Sequence, residues 1–160
     1  MTLTGDWTTP FDVDFAATNG PNTRWSSGLL RPVDDPDRAA WPGLRSFVSA
    51  PTGATLRWVG EGTVACDLGV SVDAVAVHAY VEVVAADGRV RLLTEGVTRA
   101  TGGPVTVRLR PVAVELPTGA SLRLSFAGAD ADTFERVPAT GPATWTFTEP
   151  CVLQLPLDES

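Results

Sequence analysis

The chain contains no lysine and no isoleucine, and it has a single histidine, His78. Its twelve basic residues are all arginines, set against nineteen acidic ones, for a formal net charge of −7. An acidic chain has no general attraction for phosphate backbones, so nucleic acid is not an expected partner. Lysine and isoleucine share AT-rich codons, and their absence reads as a GC-rich coding genome. The structural effect is small, because valine and leucine take over the β-core role of isoleucine. The lone histidine limits chemistry more sharply: any Ser-His-Asp triad made by this chain alone must use it.

Cysteine is scarce as well. Cys66 and Cys151 are the only two, lie far apart in the sequence and fall in apolar strand-like runs. They read as buried thiols. A disulfide framework calls for more cysteines and a secretory leader. Met1 to Trp7 has neither the basic region nor the apolar stretch of such a leader. Two cysteines also make a poor structural zinc site. No apolar run is long enough to span a membrane as a helix. The expectations are a cytoplasmic location, no membrane partner, no metal and no cofactor.

What is present points to one globular domain. Hydrophobic residues make up 44% of the 160 and charged ones 19%, which separates the chain from disordered sequences. Fifteen glycines and thirteen prolines suit short strands joined by many turns better than long helices.

Residues 1–50 show weak periodicity. They hold Trp7, Trp25 and Trp41 and the turn-rich runs Asn19-Gly20-Pro21-Asn22 and Asp34-Asp35-Pro36-Asp37. We read an irregular N-terminal arm that packs its tryptophans onto the domain, with room for one short helical turn over Arg38 to Ser46. Residues 51–160 read as strand after strand. Val64, Cys66, Leu68 and Val70 alternate with Ala65, Asp67 and Gly69. Val75, Val77, Ala79, Val81 and Val83 alternate with His78, Tyr80 and Glu82, which fall on the wetter face. Asp87-Gly88 marks a hairpin turn, with Val90 to Arg99 as the returning strand. Val105, Val107 and Leu109 follow, and the apolar parity flips across Pro111, which predicts a bulge or an edge there. Leu122, Leu124 and Phe126 form a further strand, a loop runs from Gly128 to Gly141, and Trp145, Phe147, Cys151, Leu153, Leu155 and Leu157 close the chain. About eight strands at short spacing predict an all-β fold, a two-sheet jelly-roll β-sandwich.

The candidate chemistry is thin. His78 sits mid-strand, and no serine lies in a Gly-x-Ser-x-Gly elbow; Gly119-Ala120-Ser121-Leu122-Arg123 reads as a turn and a strand. His78 reads as a strand histidine satisfied by side-chain partners. Asp34, Asp35 and Asp37, and likewise Asp130 and Asp132, offer oxygen ligands suited to calcium, but read as solvated turns. Five tryptophans raise the prospect of sugar stacking. Trp145 reads as core and Trp58 as a strand end, while Trp7, Trp25 and Trp41 read as anchors of the arm. Gly60-Glu61-Gly62 and Gly102-Gly103 open no helix and so are turns, not phosphate loops.

Several short motifs, in order, resemble the C-terminal domain of Xaa-Pro dipeptidyl-peptidases and cocaine-esterase-like hydrolases. Thr94-Glu95-Gly96-Val97-Thr98-Arg99-Ala100 is similar to the family's Thr-acidic-Gly-x-x-Arg-Ala segment. Leu44-Arg45-Ser46-Phe47-Val48-Ser49-Ala50-Pro51 resembles its aromatic-Thr-Ser-x-Pro entry. Val59-Gly60, Val70-Ser71-Val72-Asp73, the run from Val105 to Leu109 with Pro111, and Gly119 to Leu124 follow in register. Phe134-Glu135-Arg136 with Thr140-Gly141 resembles its Phe-x-Arg loop. The likeness covers roughly residues 20 to 157. The chain departs from the pattern where Val137-Pro138 replaces an asparagine, and where Thr101-Gly102-Gly103 shortens a loop.

The resemblance implies a galactose-binding-like jelly roll that packs on an α/β-hydrolase catalytic domain and helps wall its substrate entrance. In that family the catalytic triad lies in the other domain, so no catalytic residue is expected in this chain. Parent enzymes are serine hydrolases with dipeptidyl-peptidase or esterase activity. Trp7, Trp25, Trp41, Phe134 and Arg136 are the expected interface or ligand contacts. The alternatives are a free-standing carbohydrate- or ligand-binding module and a complete small hydrolase using His78.

Overall fold

The computed structural model describes residues 3–16, 43–131, 134–138 and 141–159. Among these residues there is no helix. The strands are β1 (Leu3–Thr4), β2 (Phe11–Asp12), β3 (Arg45–Ser49), β4 (Leu56–Gly60), β5 (Thr63–Val70), β6 (Val75–Val84) and β7 (Val90–Ala100). They continue with β8 (Gly103–Arg108), β9 (Val112–Leu116), β10 (Ser121–Ala127), β11 (Thr144–Phe147), β12 (Val152–Gln154) and β13 (Leu157–Glu159). The expected strands are there, and the extra ones are short pieces that the alternation is too brief to reveal.

The fold is an all-β sandwich. One five-stranded sheet has the order β1-β3-β10-β6-β7. A second has the order β12-β5-β11-β2, with β8 on the other edge of β5, and a third is β13-β4-β9. Every pairing is antiparallel. Three hydrogen-bonded sheets replace the two expected. The reason is visible at the prolines. The chain leaves β8 in the second sheet and enters β9 in the third across Pro111, which supplies no N–H to a ladder. Pro156 stands at the same kind of step between β12 and β13.

Residues 1–50 contribute more than an arm. β1 pairs with β3, β2 pairs with β11, and β3 sits inside the first sheet between β1 and β10. The expected boundary at residue 50 thus falls at the end of a sheet strand. Of the short helical turn expected over Arg38 to Ser46, the described part is a turn at Gly43 leading into β3.

The core lies between the sheets. Val75, Val77, Ala79, Val81 and Val83 of β6 and Leu122, Leu124 and Phe126 of β10 are buried on one side, against Val64, Cys66 and Leu68 of β5. Aromatic rings join the layers. Phe47 and Phe126 of the first sheet meet Phe147 of the second with centroids 5.8 and 5.0 Å apart. Trp7 stacks on Phe47 at 3.3 Å with the planes parallel to within 2°.

Two glycines matter for how the chain closes. Gly88 takes a φ of 85° in the β6–β7 hairpin, where its N–H donates to the Ala85 carbonyl. Gly96 of β7 lies where the first sheet crosses β8. A Cβ there would sit 2.2 Å from the Arg108 carbonyl oxygen, so only glycine fits.

Candidate functional site

The outer face of the first sheet carries the polar half of each alternation. It is expected to be wet, and at its centre it is not. His78, Tyr80 and Glu82 of β6, Glu95 of β7 and Arg123 and Ser125 of β10 are all buried, none more than 3% exposed. Alternation sorts residues between two faces and does not say that the second face is open.

Register explains the pairing of these groups. Glu82 stands opposite Arg123, and Tyr80 opposite both Ser125 and Glu95. On the next strand Ser125 is opposite Ser46. Arg123 Nε donates to Glu82 Oε2 at 2.6 Å, and Ser125 Oγ donates to the same oxygen at 3.0 Å. The Ser46 and Ser125 hydroxyls are 2.9 Å apart. The result is a connected polar network of four side chains inside the protein. Glu95 adds an ion pair with Arg110 at 3.7 Å.

The segment after β10 lies at the end of this face. Gly128 allows the turn to press close, since a Cβ there would meet Val13 at 2.4 Å. Asp130, 1% exposed, accepts a hydrogen bond from Tyr80 Oη at 2.9 Å, and its carbonyl accepts from the Phe134 N–H at 3.0 Å. Asp130 is therefore an internal acceptor and not the solvated turn residue expected. Phe134 packs on the His78 ring with centroids 5.0 Å apart. The Val137 carbonyl accepts from the Ala76 N–H at 3.1 Å, and the Val137-Pro138 bond is cis.

Exposed Arg136 lies over the Phe15 ring, its guanidinium carbon 4.0 Å from the centroid. Asp73, Arg99, Glu135 and Arg136 line an open cleft beside this segment. The structure thus brings Phe134 and Arg136 together, one anchored inward and one at the surface.

Trp7 is elsewhere. It is 8% exposed and belongs to the core between Phe47 and Phe147. Trp58 and Trp145 are also buried, so none of the described tryptophans forms an exposed platform. Trp25 and Trp41 lie outside the described residues, as do Asp34, Asp35, Asp37, Asp132 and Thr140.

His78 does not match its expected setting either. It is mid-strand and 1% exposed, but among the described residues neither ring nitrogen has a hydrogen-bond partner. Burial, with Phe134 packed on the ring, lowers its pKa to about 4, so the ring is neutral. A triad requires a serine hydroxyl and a carboxylate on the two ring nitrogens, and His78 has neither among the described residues. Among the described residues no cluster of three metal-ligating side chains occurs, and no helix is long and apolar enough to cross a membrane.

Comparison with known proteins gives a consistent result. A family model described as the X-Pro dipeptidyl-peptidase C-terminal non-catalytic domain matches residues 3–155. No curated protein matches significantly. Among solved structures, the chain is similar to an aminopeptidase from a marine sediment archaeon, Thaumarchaeota archaeon, at 12% identity and a TM-score of 0.77. That match covers 99% of this chain and 34% of the other. An α-amino acid ester hydrolase matches at 14% identity and a TM-score of 0.76, covering 96% of this chain and 33% of its own. A CocE/NonD family hydrolase from Staphylococcus aureus matches at 11% identity and a TM-score of 0.53, over 70% of this chain and 30% of its own. At these identities the likeness is one of fold. The chain spans about a third of the length of each.

Proposed function

The chain belongs to the X-Pro dipeptidyl-peptidase C-terminal non-catalytic domain family, and on that premise we propose that it packs on an α/β-hydrolase catalytic domain and helps shape the entrance to that domain's active site. The observation that carries this reading is coverage. Nearly the whole chain aligns with one third of an aminopeptidase and one third of an ester hydrolase, leaving the remainder of each for other domains. The setting of His78 agrees, since among the described residues it holds neither partner of a nucleophile triad.

In this reading the Phe134–Pro138 segment is the contact region. Phe134 is fixed against His78 and Val137 against Ala76, so the segment is held in place by the sheet. Arg136 then presents a charged group beside the cleft at a defined position. A fixed backbone with an exposed arginine suits recognition of a carboxylate-bearing surface. The parent activity would be hydrolysis of Xaa-Pro peptides or of related esters and amides.

Reconstitution tests the proposal. A family α/β-hydrolase catalytic domain from the source genome, expressed without its own C-terminal third, is mixed with this chain. A one-to-one complex in sedimentation and a lower KM for a chromogenic aminoacyl ester are expected. Absence of a complex at micromolar concentrations refutes the proposal. So does ester turnover by this chain alone that disappears in His78→Ala.

A further inference from the structure

Cys66 and Cys151, distant in sequence, are cross-strand neighbours. β5 and β12 pair with Ala65 opposite Val152 and Val64 opposite Leu153. One further step of the same register sets Cys66 opposite Cys151. Both are in the core, at 7% and 5% exposure, and both are free thiols.

The ladder also fixes which kind of pair they form. β8 holds one edge of β5, while β11 and β12 follow one another along the other edge. On the β11 side the hydrogen bonds run through Asp67 and Ser71. The Thr148 N–H donates to the Asp67 carbonyl and the Ser71 N–H to the Thr144 carbonyl, each at 3.0 Å. On the β8 side the Leu109 N–H donates to the Gly62 carbonyl. Backbone polar groups alternate between edges along a strand. Odd-numbered residues of β5 therefore bond towards β11 and β12, and even-numbered ones towards β8. Cys66 and Cys151 thus form a non-hydrogen-bonded pair, the antiparallel position where facing side chains come closest. The Cα separation of about 4.5 Å typical of such a pair falls within the disulfide range.

We propose that Cys66 and Cys151 are a dithiol–disulfide site, closed by thiol–disulfide exchange with a small-molecule disulfide, which staples the start of the short strand β12 to β5. The chemistry has two displacements. The Cys66 thiol gives its proton to water, and its thiolate attacks one sulfur of the small disulfide RSSR. That S–S bond breaks and RS⁻ leaves. The Cys151 thiol then loses its proton to RS⁻ and attacks the Cys66 sulfur, breaking the mixed disulfide and releasing the second RS⁻, which takes up a proton. The protein loses two hydrogens and two electrons, and RSSR becomes two RSH. A hydrogen bond shared by the two thiols favours the thiolate on one of them, lowering the Cys66 pKa and raising that of Cys151, and the same two displacements balance with the roles of Cys66 and Cys151 exchanged. Burial puts access under the control of β12. This strand has only three residues and must lift from β5 before the small disulfide can reach Cys66.

The test uses the full chain, reduced, desalted and incubated with oxidised glutathione. It is run in buffer and again in sub-denaturing urea, so that opening of β12 does not limit access. After acid quenching, thiols are counted in denaturant and the intact mass is measured. The expected product lacks both thiols, is lighter by two hydrogen atoms, remains monomeric on a non-reducing gel and yields a linked Cys66–Cys151 peptide. It also resists higher denaturant than the reduced form. Cys66→Ser and Cys151→Ala should each block the mass loss. Two free thiols persisting in urea, or stable glutathione adducts without ring closure, overturn the proposal.

Discussion

Replacing Glu82 with glutamine removes one charge from the interior of the first sheet and little else. Glutamine keeps the volume, and its oxygen still faces Ser125 and Arg123 Nε. What is lost is the negative charge opposite a guanidinium that is 3% exposed. At 2.6 Å and an effective dielectric of about 20, that attraction is roughly 6 kcal/mol. Part of it is offset, because the carboxylate no longer has to be stripped of water, a cost of several kcal/mol per buried ion. The expected net loss is about 3 kcal/mol, against a total of about 5–15 kcal/mol for a domain. Urea unfolding followed by tryptophan fluorescence measures it. A buried pair is little screened, so molar sodium chloride should leave the difference unchanged. The double variant Glu82→Leu/Arg123→Met removes both charges together and should lose less stability than Glu82→Gln. A single-variant loss under about 1 kcal/mol, or one halved by salt, would refute the reasoning by showing that water reaches the pair.

Other perturbations probe the rest of the molecule. Gly96→Ala puts a methyl group 2.2 Å from the Arg108 carbonyl oxygen, where only backbone movement gives relief, and should cost about 3 kcal/mol in urea unfolding; a near-neutral result would mean β7 and β8 cross more loosely than observed. The His78 proton equilibrium is at 6.5 in the unfolded chain and about 4 in the folded one. Between these values the unfolded state binds more protons, so stability should fall by about 3 kcal/mol as the pH drops through that window and stay level above it. His78→Phe should abolish that slope, and an unchanged slope would assign it to another group. Trp7→Ala removes the ring stacked on Phe47 and should cost about 3–5 kcal/mol, read as a lower urea midpoint. Arg136→Ala should leave the melting temperature unchanged and weaken the reconstituted complex with a catalytic domain; equal affinity would remove this residue from the interface.

Apolar alternation made the inward faces of β5, β6 and β10 legible, because it reports which side chains share a face. Asp87-Gly88 was legible as a hairpin because the turn requires positive φ, which Gly88 adopts. The same alternation misled at His78, Tyr80 and Glu82. Polarity on one face predicts water there unless the polar groups satisfy one another, and Glu82, Arg123, Ser125 and Ser46 do so. Their partners come from three strands, and strand order is not written in any local window. Cys66 and Cys151 were hidden for the same reason, since only the β5–β12 register makes them neighbours. Phe134 and Arg136 stood out through family resemblance alone, with no periodic signal in their loop. The structure supplies the physical content, with Phe134 against His78 and Arg136 over Phe15. Gly96 sits in one of the motifs that resemble the family's, and its tight approach to β8 gives that motif a packing reason. A signature segment held by packing is what a non-catalytic domain should carry.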